Sequence, residues 1–215
     1  MRWAGFRKVR GQVCKRIRRR MRELGIDDLA RYRAHLETHE DEWGRLDAMC
    51  RIPISRFFRD RSLFERLVDE WRGRESVRCW SAGCAAGEEP YSLAILRRHA
   101  LPDLQLDVVA TDDAPHQLER ARTAVYTAGS LKEVPEAWRV AAFTSRFELR
   151  PAYREGIRFE LQDLREAMPD GSFDLILCRY LAFTYFETTL QREILDGLAD
   201  RLAPDGILAI GRHER

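Results

Sequence analysis

The chain has no lysine between Lys15 and Lys132. That absence excludes the G-x-x-x-x-G-K-[ST] loop and, with it, a nucleotide cradled by a P-loop. No apolar run approaches the roughly 18 residues of a membrane-spanning helix, and no secretory leader pattern opens the sequence. Neither membrane insertion nor secretion is therefore expected, and the chain reads as cytoplasmic. The five cysteines, Cys14, Cys50, Cys79, Cys84 and Cys178, are odd in number and scattered, which fits reduced thiols better than a disulfide framework. Cys79 and Cys84 have no accompanying histidine or second cysteine pair, and His35 and His39 lack further ligands, so no metal site is expected. No nucleic-acid signature with interleaved aromatics accompanies the basic residues, which places nucleic acid last among the partners.

What is present suffices for one substantial domain and a small companion: 215 residues, 45% of them apolar. A net charge of +2 hides an uneven distribution, because residues 1–22 hold ten Arg or Lys and no acid. Over residues 9–24, Val9, Val13, Ile17, Met21 and Leu24 recur at steps of three or four and predict an amphipathic helix. Its opposite face carries Arg16, Arg18, Arg19, Arg20 and Arg22. That face is read as a solvated surface, as a dock for an acidic protein helix, or, last, as a phosphate-binding strip. Two further helices are expected at 27–38, with Leu29, Tyr32 and Leu36 apolar, and at 41–50, with Trp43, Leu46 and Met49. Residues 1–50 thus form a small helical domain and 51–75 a connecting segment.

The organising stretch is VRCWSAGCAAGEEPYS at 77–92. A short buried strand from Val77 to Trp80 breaks into a loop of small residues, among them Ala82 and Gly83, which leave the backbone open to a ligand. A helix follows, with Pro90 in its first turn. Strand, glycine loop and helix begin a nucleotide-binding α/β sheet, whose ligand lies outside the carboxyl ends of the strands. Two carboxylates, Glu88 and Glu89, follow the loop at once; they repel a pyrophosphate and favour a cation, which suits S-adenosylmethionine better than a dinucleotide. A second strand, 106–111, ends in Asp112 and Asp113, placed either to grip ribose hydroxyls or to cap the next helix. Strands at 157–161 and 173–178, a helix from about 188 to 202, a turn at Pro204-Asp205-Gly206 and a last strand at 206–211 complete a doubly wound, parallel, Rossmann-like sheet. Between the two halves, ISRFFRD places Arg59 beside two aromatics, where a guanidinium can orient a carboxylate through paired hydrogen bonds.

Taken together, ISRFFRD, WSAGCAAGEEPYS, ATDD and FDLILCR followed by YF resemble the CheR-type chemotaxis-receptor methyltransferases, which methylate glutamate side chains using S-adenosylmethionine. The resemblance covers nearly the whole chain and assigns residues 76–215 to the methyltransferase domain. It implies that Ser55 and Arg59 touch the cofactor or the active site, in place of the threonine and arginine of T-x-F-F-R. It further implies that Ala82 and Gly83 line the cofactor, that Glu89 holds its methionine portion and that Asp112 holds the ribose. Asp163 and Leu164 then lie beside the adenine, Arg179 and Tyr180 occupy the positions of the arginine and asparagine of the family's C-R-N, and Tyr185 lies close to the transferred methyl. S-adenosylhomocysteine is the implied product.

Three positions depart from the family pattern. Tyr180 puts a phenol where the family has an amide, and LAFTYF is one residue longer than N-V-x-I-Y-F. The stretch between Ala142 and Ile157 is shorter than the family's inserted β-subdomain, which argues against tethering to a receptor's terminal pentapeptide. The family sheet also continues for two further strands, so an ending at Arg215 implies a truncated edge. A glutamate acceptor is already ionised near neutral pH, so in-line displacement needs alignment and a dry pocket, with Arg59 and Tyr185 orienting the acceptor. Two alternatives stay open: a methyltransferase acting on a small molecule or another acceptor, and a non-catalytic module that binds S-adenosylmethionine or S-adenosylhomocysteine.

Overall fold

The computed structural model describes residues 9–50 and 55–214; Ile54, the first residue of ISRFFRD, lies outside the described residues. The chain divides into two compact units, Met1–Ile54 and Ser55–Arg215.

The first unit contains α1 (Arg10–Glu23), α2 (Leu29–Thr38) and α3 (Glu40–Cys50). Met21, Tyr32 and Leu36 form its buried cluster, with Ile17, Leu24, Ile26 and Leu46 packed around them. Asp28 caps α2 by accepting a hydrogen bond from Ala30 N, which satisfies one of the donors left open at a helix start. The arginine face differs from the expectation at two positions: Arg16 is half-buried and donates to Met49 O at 3.3 Å, and Arg20 is half-buried as well. Arg20 turns inward and donates to both carboxylate oxygens of Glu42, at 2.9 and 2.8 Å, while Tyr32 donates to the same Glu42 at 3.0 Å. Arg20 stands seven residues after Val13 and four before Leu24, so helical periodicity places it on the apolar face itself, where it meets a buried carboxylate that needs a cation. Leu29 and Trp43, expected among the interior apolar residues, are 68% and 53% exposed. Each stands in the first turns of its helix, before the chain has reached the packed cluster.

The second unit is an α/β sheet. Its strands are β1 (Ser76–Ala82), β2 (Gln105–Asp112), β3 (Ile157–Leu161), β4 (Phe173–Cys178) and β5 (Leu202–Ile210). They pair in parallel in the order β3-β2-β1-β4-β5. Around them lie α4 (Arg61–Trp71), α5 (Glu88–Ala100), α6 (Pro115–Thr123), α7 (Glu136–Ala142), α8 (Ala182–Tyr185) and α9 (Thr188–Ala199). The central strands read as continuous apolar runs because helices cover both faces. Cys79 in β1 and Leu175 and Leu177 in β4 join Phe64, Leu67 and Trp71 of α4 and Leu93 and Ile95 of α5. On the other face Trp80, Ala82, Ile176 and Cys178 meet Ile194 and Leu198 of α9. Each large apolar side chain so buried contributes roughly 1.5–3 kcal/mol.

Pro204-Asp205-Gly206 does not form a turn between elements. It lies inside β5, which begins at Leu202, and the pairing with β4 slips between Phe173 and Leu175. Asp205 takes φ +64°, and a Cβ on Gly206 would meet the carbonyl oxygens of Ala203 and Phe173 at 2.9 Å. Turn-forming residues here build a bulge, because the strand pairs again beyond them.

Chain order moves outward from β1 through β2 to β3, then returns to β4 and β5 on the other side. The carboxyl ends of β1 and β4 therefore flank the switch point, the place where open sheets of this kind bind ligands. Among the described residues, no helix is long and apolar enough to cross a membrane.

Candidate active site

Five loops gather at the carboxyl ends of the strands: 55–60, 83–87, 112–114, 179–186 and 211–214. The glycine loop is held to the end of β2. Gly83 N and Cys84 N both donate to Thr111 O, at 2.8 and 2.9 Å, and Ala85 N donates to Asp112 Oδ2 at 2.8 Å. Gly83 has φ +78°, and a Cβ there would lie 2.5 Å from Leu181 Cδ2, so only glycine fits under the β4 loop. Asp112 Oδ1 accepts from Ala114 N at 3.0 Å. One carboxylate thus ties down the start of α6, as the capping reading expects, and the glycine loop with it.

The two carboxylates after the glycine loop part company. Glu89 is half-buried; its Oε1 accepts from Ser81 Oγ at 2.6 Å and its Oε2 from Arg179 Nη1 at 2.9 Å. Glu88 does not guard the mouth as expected, because the first turn of α5 carries it into the interior, where it is 3% exposed. It accepts a hydrogen bond from the Ser55 hydroxyl, and its Oε2 has no partner. Burial pushes its carboxyl up, against the pull of its own backbone N–H, Ser55 and Arg120. One turn on, Ser92 Oγ donates to Glu88 O at 2.6 Å and accepts from Phe58 N at 2.9 Å. GEEPYS therefore anchors the 55–60 loop from beneath. Because the folded carboxyl holds its proton more tightly than the unfolded one, Glu88 lowers stability as pH rises above about 4.5, its ordinary value. Glu88→Gln is expected to keep the Ser55 bond, raise the melting temperature at neutral pH and flatten its decline with pH above that value. An unchanged pH profile in a melting series would refute the ionised reading of Glu88.

Arg179, at the end of β4, has a side chain only 3% exposed. It joins three loops by donating to Glu89, to Asp60 Oδ2 at 2.7 Å and to Arg59 O at 2.5 Å. Asp60 occupies the N-cap of α4 at φ +62° yet makes no capping bond. An aspartate there ordinarily stabilises a helix by about 1 kcal/mol, and this one is turned to Arg179 and to the Tyr180 hydroxyl, 2.5 Å away. Burial pushes the Asp60 carboxyl up, but Tyr180, Arg179 and Arg59 together hold it below the usual range. Arg59 Cζ stands 3.5 Å from the centroid of the Tyr180 ring. Tyr185, on α8, is half-buried, and burial raises its hydroxyl while the nearby Arg59 lowers it.

Glu214 closes the arrangement. It is 7% exposed and accepts from Tyr180 N at 2.8 Å, Gly211 N at 2.6 Å and Thr184 Oγ1 at 2.5 Å. One carboxylate thereby pins the ends of β4 and β5 and the helix carrying Tyr185. Asp60, Glu88 in its inward role, Ser92 and Glu214 were not among the residues singled out from sequence. Asp60 lies within ISRFFRD itself, but a loop aspartate gives no sign of a partner 119 residues away.

Asp163 and Leu164 follow β3. Asp163 accepts from Arg165 N at 2.9 Å and pairs with the Arg165 guanidinium at 2.5 Å, while Leu164 is buried against the Trp80 cluster. Next to them, buried Gln162 Oε1 has no hydrogen-bond partner, and neither has Arg179 Nε. In and beside these loops, the buried or half-buried carboxylates Asp60, Glu88, Glu89, Asp112, Asp113, Asp163 and Glu214 outnumber the guanidiniums Arg59 and Arg179. An acid-lined glycine loop, with an unpaired amide oxygen beside it, fits a cationic adenosine compound such as S-adenosylmethionine.

The family description "CheR methyltransferase, SAM binding domain" matches residues 54–215, and "CheR methyltransferase, all-alpha domain" matches 8–46. A "Chemotaxis protein methyltransferase" of Listeria innocua is 35% identical over 179 residues, 78% of this chain and 67% of that protein. One of Salmonella typhimurium is 33% identical over 219 residues, 95% of this chain and 76% of that protein. Among solved structures, the N-methyltransferase NodS from Bradyrhizobium japonicum with S-adenosyl-L-homocysteine aligns at TM-score 0.42 and 19% identity, covering 70% of this chain and 60% of that one. The chain belongs to the CheR methyltransferase family: it is an S-adenosylmethionine-dependent methyltransferase with that family's all-alpha and cofactor-binding domains.

Proposed function

We propose that the chain methylates glutamate carboxylates of a protein in the cytoplasm. The observation that carries this reading is the Arg59 guanidinium, held over Tyr180 at the edge of the acid-lined loop. S-adenosylmethionine, when bound, supplies a methyl group on a positively charged sulfur. In this reading Glu89 and Asp112 hold its methionine and ribose portions, Ala82, Gly83, Asp163 and Leu164 line its remaining length, and Ser55 and Arg179 border it. A glutamate acceptor is ionised at neutral pH and needs no general base. Arg59 and Tyr185 orient it in line with the departing sulfur, and the enclosing loops exclude water, which favours the loss of opposite charges.

The names of the Listeria and Salmonella relatives support a protein of chemotaxis as acceptor. The exposed Arg18, Arg19 and Arg22 of α1 support an acidic, helical docking partner. Between α7 and β3 stand only isolated bridges, Val125 to Glu148 and Phe143 to Leu149, and one 3₁₀ turn, Pro151–Tyr153, among the described residues. That economy supports recognition without pentapeptide tethering.

The test uses tritiated S-adenosylmethionine and total protein of the source cell. Label released as methanol by base is expected; label stable to base points to another acceptor, and no label to a binding module. Arg59→Ala should bind S-adenosylhomocysteine nearly as the parent does in calorimetry. It should also transfer methyl about 100-fold more slowly, the loss of a charge-assisted pair worth up to ~3 kcal/mol. Full transfer by this variant removes Arg59 from the acceptor side.

A further inference from the structure

Aligned with the family, Tyr180 replaces an amide and is therefore read as a cofactor contact. Its surroundings give it another task. The hydroxyl is committed to Asp60 Oδ2 at 2.5 Å, and Asp60 is itself fixed by Arg179 at 2.7 Å. The ring lies under Arg59, with Cζ 3.5 Å from the centroid, and packs on Gly211, where a Cβ would come within 2.7 Å of Tyr180 Cε1. The backbone stands at φ +58°, a conformation that costs a non-glycine residue energy, and its N–H is held by Glu214 Oε2 at 2.8 Å. Four independent restraints thus fix one side chain: a carboxylate on its hydroxyl, a guanidinium on its face, a glycine under its edge and a carboxylate on its backbone. A tyrosine so restrained has neither its hydroxyl proton nor its covered face to offer a second ligand.

We propose that Tyr180 is a positioning residue for Arg59: a rigid aromatic platform, braced by Asp60, that sets the direction of the guanidinium toward the acceptor. The inference rests on the proposed glutamate reading for the identity of that acceptor and on the geometry alone for the platform. A ring face beneath a guanidinium limits the orientations the guanidinium can take, and so fixes the direction of its N–H edge. An asparagine at this position could offer no such face. Substituting the phenol thus exchanges a short polar group for a support, and the acid that braces it sits in the same FFRD segment as the arginine it supports.

Two variants separate a platform from a cofactor contact. Tyr180→Phe keeps the ring and loses the Asp60 bond; Tyr180→Leu loses the ring. S-adenosylhomocysteine affinity is read by calorimetry, and the exposure of Arg59 by phenylglyoxal modification followed by peptide mass spectrometry. Expected are binding within about threefold of the parent in Tyr180→Phe and, in Tyr180→Leu, an Arg59 modification rate at least about threefold higher. Half-saturation by total acceptor protein should rise in both variants. Weaker binding than that in Tyr180→Phe, or an unchanged Arg59 rate in a folded Tyr180→Leu, overturns the proposal. Should Tyr180→Leu fail to fold, Tyr180→Phe decides: retained binding with raised half-saturation sustains the platform, and any other pair of results overturns it. Base-stable label with the parent protein defeats the glutamate reading instead, and leaves the binding and modification readouts to judge Tyr180.

Discussion

Arg179→Ala is expected to destabilise the larger unit by about 3 kcal/mol, the lower end of the range for removing one partner from a buried ionic group. The guanidinium is 3% exposed, and its partners Asp60 and Glu89 retain 23% and 15% exposure, which tempers the penalty of leaving them without it. For a unit of this size that loss corresponds to a fall in melting temperature of roughly 6–12 °C. Arg179→Lys should recover only part of it, because an ammonium cannot address Glu89, Asp60 and Arg59 O along the fixed directions of a guanidinium.

The pH dependence has a definite sign. Asp60 is held below its ordinary value of 3.8, so its contribution is present above that pH and disappears as pH falls through the folded value. The gap between parent and Arg179→Ala should accordingly be full at neutral pH and narrow below about 3.8. A variant that melts with the parent at pH 7 would show that the three loops are held together by packing alone.

Asp112→Ala is expected to weaken S-adenosylhomocysteine binding by at least about 100-fold, or ~2.7 kcal/mol. Two effects add. The proposed ribose contact is lost, and so are the charge-assisted bonds from Ala85 N and Ala114 N that fix the glycine loop and the start of α6. Bonds of that type contribute about 1.5–3 kcal/mol each. Asp112→Asn separates the effects, since its single amide oxygen can serve one backbone donor but not both. It should recover part of the melting temperature and little of the affinity. Calorimetry that finds Asp112→Ala binding as tightly as the parent removes this residue from the cofactor site.

Both predictions concern residues that the sequence brought to notice for different reasons. The fold of the larger unit was legible because its signals are local. Apolar runs at 77–80, 106–111, 157–161 and 173–178 can be buried only in a covered sheet, and their alternation with helical segments requires parallel pairing. The glycine loop, Glu89 and Asp112 were legible for a like reason, as they follow directly on strand ends. The bulge at Pro204-Asp205-Gly206 was not, because turn chemistry is the same whether a chain reverses or resumes its strand.

Side-chain direction escaped the sequence wherever partners are remote. Glu88 and Glu89 are adjacent carboxylates, and a helical step of about 100° sends one into the core beneath Ser55 and the other to Arg179, 90 residues away. Arg20 stands on the apolar stripe of its helix, and nothing near it in sequence points to Glu42, 22 residues on. Tyr180 stands where the family has an amide, and its hydroxyl meets Asp60, 120 residues earlier.

The order of residues by itself determined the elements, their parallel arrangement and the acid-lined loop at a strand end, since each depends on neighbours within a few positions. Which carboxylate faces the ligand, which guanidinium joins the loops and what Tyr180 supports were decided only by the folded chain. Electrostatic and stacking contacts act over a few ångströms in space, and sequence distance does not measure that separation.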